Sequence, residues 1–136
     1  MLTLVVGCAA APEHRCVQMV ASYDSASALL PLALDAARAQ HLDIAALDTA
    51  RGAFAAIDDS ACAAVRVVYV VNIEPLKYAR QFRYVRVRGK YVAIGVTPLA
   101  FAGGRELPRV PAAADARAEQ LLLAIYDRTR SERELF

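Results

Sequence analysis

Residues Phe82 to Thr97, FRYVRVRGKYVAIGVT, alternate apolar and polar side chains in two runs on either side of Gly89-Lys90. A period of two over such runs, interrupted by a glycine, predicts a β-hairpin. With Gly89 and Lys90 as the central turn residues, Arg88 faces Tyr91, Val87 faces Val92, Arg86 faces Ala93, Val85 faces Ile94 and Tyr84 faces Gly95. This register places Val85, Val87, Val92, Ile94 and Val96 on one face and Phe82, Tyr84, Arg86, Arg88 and Tyr91 on the other. One face is core. The second carries arginine beside aromatic rings and is the only surface whose chemistry the sequence defines.

The strongest single strand is Val65 to Ile73, VRVVYVVNI, in which β-branched and aromatic residues leave little polar character. Such continuous apolarity belongs to a central strand covered on both faces. Strands over Phe82–Arg88 and Tyr91–Thr97 follow, and Pro98 is expected to end the ladder because it has no amide to donate. Two further strands are expected earlier, at Leu2–Gly7 and Cys16–Tyr23. Helices are expected over Ala28–His41, with Pro31 in the first turn and His41 as a C-terminal cation, and over Ile44–Ile57, with Asp43 as its cap. A short extra turn is expected around Cys62. After a mobile connection at Gly103-Gly104, a last helix over Ala112–Glu132 presents Leu121, Leu122, Ile125 and Tyr126. The pattern is α+β: a mainly antiparallel sheet of about five strands, packed against two central helices and a C-terminal helix in one domain spanning residues 1–136.

At 136 residues the chain is long enough to bury a core without disulfide or metal staples. Its hydrophobic fraction of 57% exceeds what such a core needs, although alanine accounts for much of it. That surplus points to an interface, with a protein partner or with further copies of the chain. A net charge of +2 is too small to imply nucleic acid or a membrane surface. Its distribution is more telling, with Lys77, Arg80, Arg83, Arg86, Arg88 and Lys90 clustered around the hairpin. No run approaches the ~20 apolar residues of a membrane-spanning helix.

Leu4-Val5-Val6-Gly7-Cys8 resembles a bacterial lipoprotein cleavage site, and the resemblance implies lipidation of Cys8 after export. The segment lacks the basic start and the ~7 to 15 apolar residues of a signal peptide. As written the chain is expected in the cytoplasm, and in the cell envelope if translation starts upstream. Cys16 and Cys62 would then be left to pair in an oxidising compartment. Cys8, His14, Cys16 and Cys62 do not follow a recognised zinc spacing, and no cofactor is expected.

Catalysis has no visible constellation. His14 falls in a loop and His41 at a helix end, no serine lies in a Gly-x-Ser-x-Gly turn, and Asp58-Asp59 and Glu74 are isolated carboxylates with no visible convergence for acid–base work. Three functional expectations remain. The first is a non-catalytic binding or assembly protein acting in an oligomer or a larger complex. The second is a nucleic-acid or anionic-ligand binder using Phe82, Tyr84, Arg86, Arg88 and Tyr91, since arginine can hold phosphates while the rings stack bases. The third is an envelope lipoprotein anchored through Cys8.

Overall fold

The computed structural model describes residues 25–58, 64–74, 79–87, 89–130 and 132. Helix α1 (Ser25–Ala39) is followed by strands β1 (Asp43–Asp48), β2 (Ala53–Ile57), β3 (Arg66–Ile73), β4 (Gln81–Val87), β5 (Lys90–Ala102) and β6 (Arg105–Glu106), and by helix α2 (Ala112–Arg128). The strands form one antiparallel sheet in the order β1-β2-β3-β5-β4, with β6 pairing β5. This is the expected α+β class. Leu2–Gly7, Cys16–Tyr23 and the turn around Cys62 lie outside the described residues.

Both helices pack on one sheet face. Leu29, Leu30, Ala33, Ala36 and Ala37 of α1 are buried, and their spacing makes a single stripe on a helix of 3.6 residues per turn. Ala114, Ala118, Leu121, Leu122 and Ile125 do the same on α2. The two stripes close over Phe54, Ala56, Val67, Tyr69, Val71, Ile73, Val85, Val87, Val92, Ile94 and Val96. Each fully buried Leu, Ile or Val there contributes about 1.5–3 kcal/mol over an exposed one. On the other sheet face, Ala46, Ala55, Ile57, Val68 and Val70 form a second buried cluster with Leu99 and Phe101 packed against it. β3 is therefore covered on both sides, as its composition predicts.

The expected helix over Ile44–Ile57 is instead the β1–β2 hairpin. Its turn spans residues 49–52, where the Arg51 amide donates to Asp48 Oδ1 at 3.3 Å and the Gly52 amide to the Thr49 carbonyl at 3.4 Å. Gly52 has a φ of 67°, which only glycine adopts without cost, and its carbonyl accepts from the Ile73 amide at 2.8 Å. Asp43 is thus the first residue of a strand and not a helix cap.

Other expectations also change, and α2 ends at Arg128 where Glu132 was expected. α1 begins at Ser25, so Pro31 lies inside the helix, on its exposed side. β5 runs through Pro98, which pairs with Tyr69 on β3. β4 has already ended opposite Val96, so at Pro98 the other side of β5 faces no β4 residue and a missing amide donor is tolerated. The Gly103-Gly104 connection is a tight hairpin turn, with φ values of 60° and 80° between the paired residues Ala102 and Arg105. Two successive positive φ values are the requirement of a type I′ turn.

Candidate partner-binding surface on the β4–β5 hairpin

The hairpin register is set by Gly89. With a φ of 82° it takes the second central position of the turn, so that Val87 pairs with Lys90. Lys90, expected in the turn, is instead paired with Val87, and every cross-strand pair moves with it. Arg86 faces Tyr91, Val85 faces Val92, Tyr84 faces Ala93 and Phe82 faces Gly95. Sliding both strands by one residue leaves the sorting of faces intact, because directly opposed residues still share a face. Val85, Val87, Val92, Ile94 and Val96 enter the helix-covered core. Phe82, Tyr84, Arg86 and Tyr91 share the face turned away from the helices. Arg88, the fifth expected site residue, lies outside the described residues, as does Cys8.

Phe82, Tyr84 and Tyr91 are 49%, 57% and 64% exposed. Among the described residues they make up three of the four exposed large hydrophobic side chains, the fourth being Leu123 on α2. Their cross-strand partners explain how they fit. Phe82 and Tyr84 lie opposite Gly95 and Ala93, the two smallest side chains available, and their rings meet edge to face with centroids 5.5 Å apart and planes at 79°. Gly95 is itself required by packing, since a Cβ added there would sit 2.5 Å from Ala79 Cβ. Tyr84, expected to face Gly95, faces Ala93 instead, and Gly95 has Phe82 and Ala79 against it. Arg86, half-buried, stands opposite Tyr91 on the same face.

The basic cluster divides between two duties. Arg83 turns to the helix side, where its guanidinium carbon lies 5.0 Å from the centre of the Tyr126 ring. Arg80 pairs with Asp115 at 3.7 Å, and Gln81 Nε2 donates to the Asp115 carbonyl at 3.1 Å. These contacts bind the hairpin to α2. Among the described residues they leave Arg86 as the arginine of β4 that shares the aromatic face.

One polar cluster escaped sequence reasoning. Arg117 on α2 pairs with Asp58, just past β2, at 3.0 Å and donates to the Gln40 carbonyl beyond α1 at 2.6 Å. Tyr69 lies beside them almost fully buried, and burial pushes its hydroxyl pKa above the usual tyrosine value of 10.0, with Arg117 opposing and Asp58 adding to the shift. Separations of 59 and 77 residues hide such a cluster from any local pattern. It joins α2 to the segments that follow α1 and β2. A depression at the other edge of the sheet is lined by Arg38, His41, Leu42, Asp43 and Ile44, with no grouping of nucleophile and base. Among the described residues no three His, Cys, Asp or Glu side chains converge as metal ligands, and no helix is long and apolar enough to cross a membrane.

No protein-family model and no curated protein matches the chain.

Proposed function

We propose that this is a non-catalytic binding or assembly protein that engages a protein partner, or further copies of itself, through the aromatic face of the β4–β5 hairpin. The observation that carries this reading is the grouping of Phe82, Tyr84 and Tyr91, each about half exposed or more, on one face of one strand pair. Aromatic side chains bury a large area for little lost rotamer freedom, so a cluster of them left in water is suited to association. The same sheet face is apolar and buried farther along, at Val68, Val70 and Ala55. The change from covered to open thus falls at the hairpin.

Binding of nucleic acid or another anion is the second reading, supported by Arg86 standing opposite Tyr91. It is the weaker of the two because Arg80 and Arg83 are turned toward α2. A strand platform for nucleic acid needs its cations on the face where bases stack.

The test compares the wild-type chain with the triple variant Phe82→Ser, Tyr84→Ser, Tyr91→Ser. Capture from an extract of the source cells, with bound proteins identified, is run beside sedimentation of each chain alone. The wild type should retain a partner or self-associate, and the variant should lose that property while melting at the same temperature. Equal capture by both proteins, each sedimenting as a monomer, would remove the aromatic face from consideration.

A further inference from the structure

Charge is distributed unevenly along the chain. Residues 75–105 contain seven Lys or Arg and no Asp or Glu, while the other nine Lys or Arg share the rest of the chain with all 14 acids. Strands β3, β4 and β5 carry Arg66, Arg83, Arg86 and Lys90 and no acid on either face. Exposed cations also flank the exposed rings in sequence, with Arg83 between Phe82 and Tyr84 and Lys90 beside Tyr91. On the helix side Asp115 of α2 offsets Arg80, whereas Arg83 lies against the neutral Tyr126 ring and keeps its charge.

We infer that the aromatic face binds a partner protein whose contact surface is acidic around an apolar centre, the charge drawing the partner in and the rings holding it. The inference rests on the proposed binding role and adds the chemistry of the partner. A patch of one sign raises the rate at which an oppositely charged surface arrives, and it acts over about a Debye length, ~8 Å at physiological salt. It therefore works across the thickness of one strand, and while a guanidinium rests on a neutral ring. Buried aromatic area slows departure instead. A second copy of this face would set like charges against each other, which opposes pairing. Nucleic acid shares the negative charge, yet its bases stack as a parallel run on the flat faces of rings. Phe82 and Tyr84 stand at 79° to each other with centroids 5.5 Å apart, so one run of bases cannot stack on both. Side chains on a protein surface have no such requirement.

The test uses a labelled peptide with a leucine-rich centre between runs of glutamate, mixed with the full chain in stopped flow and followed by fluorescence anisotropy. Saturable binding is expected, about tenfold weaker when lysine replaces the glutamates. Raising the salt from about 0.05 M to about 0.5 M should slow association about tenfold and leave dissociation nearly unchanged, and Lys90→Glu should slow association about twofold in the same way. The triple variant Phe82→Ser, Tyr84→Ser, Tyr91→Ser should do the reverse, with dissociation about tenfold faster and association nearly unchanged. The peptide series alone decides the outcome if that variant fails to fold. Equal binding of the glutamate and lysine peptides, or no binding of either, overturns the inference. So does tighter binding of mixed-sequence single-stranded DNA than of the glutamate peptide, or pairing of the chain with itself that the triple variant abolishes. If the peptides fail while the triple variant still loses a partner from extract, the proposed function stands and only the acidic chemistry falls.

Discussion

At the scale of single residues, several positions hold conformations or contacts that a substitution would expose. His41 closes α1 in the left-handed region with a φ of 62°. The Leu42 amide donates to the Ala37 carbonyl at 3.1 Å and the His41 amide to Arg38 at 2.9 Å, the two bonds of a Schellman ending. Glycine is the usual occupant of that position, so His41→Gly should raise the unfolding free energy by roughly 0.5–1 kcal/mol in urea titration. Gly95→Ala should act oppositely. The added methyl meets Ala79 at 2.5 Å and should cost about 1–3 kcal/mol, with Ala79→Gly restoring part of the loss. Removing Arg117 with Arg117→Leu leaves Asp58 without its 3.0 Å partner in a largely enclosed site. A destabilisation of about 1–3 kcal/mol is expected, smaller when Asp58→Asn accompanies it. Tyr69 gives the alkaline response its sign. Its pKa is raised on folding, so its contribution is present below about pH 10 and is lost as pH climbs through the folded value. Tyr69→Phe should therefore flatten the fall in stability above pH 10, measured by denaturant midpoint against pH.

At the scale of elements, the β1–β2 hairpin shows why part of the fold was hidden. Ile44 and Leu47 are three residues apart, a spacing that suits one face of a helix. In the structure both pack toward the helices because the register slips at Ala45, so that Ile44 pairs with Ala56 and Ala46 with Ala55. A β-bulge inserts one residue and changes the apparent period, here from that of a strand toward that of a helix. Alanine adds to the confusion, since it is the best helix former yet also fills β2, where every residue is buried. Gly52 was the usable signal. Gly52→Ala should destabilise the hairpin by about 1–3 kcal/mol, because a side chain there is strained at a φ of 67° and its Cβ would lie 3.2 Å from the Ile73 carbonyl oxygen. By contrast β3 and α2 were legible from local composition, since β-branched residues and a regular apolar stripe each admit one reading.

At the scale of the whole molecule, one sheet face is closed by two helices and the other passes from buried to open between β3 and β4. The face of the hairpin on which Phe82, Tyr84, Arg86 and Tyr91 lie was legible because parity survives when both strands slide by one residue. The division of the arginines was not legible, because it depends on α2 supplying Tyr126 and Asp115 from far along the chain. The proposed role requires the exposed aromatics to be dispensable for folding and needed for association. Radical footprinting tests that directly, by comparing oxidation of Phe82, Tyr84 and Tyr91 in dilute buffer and in concentrated extract of the source cells. Protection of these three rings in the extract, with Leu123 oxidised equally in both, is the predicted result. Equal oxidation of all four in both conditions would contradict it.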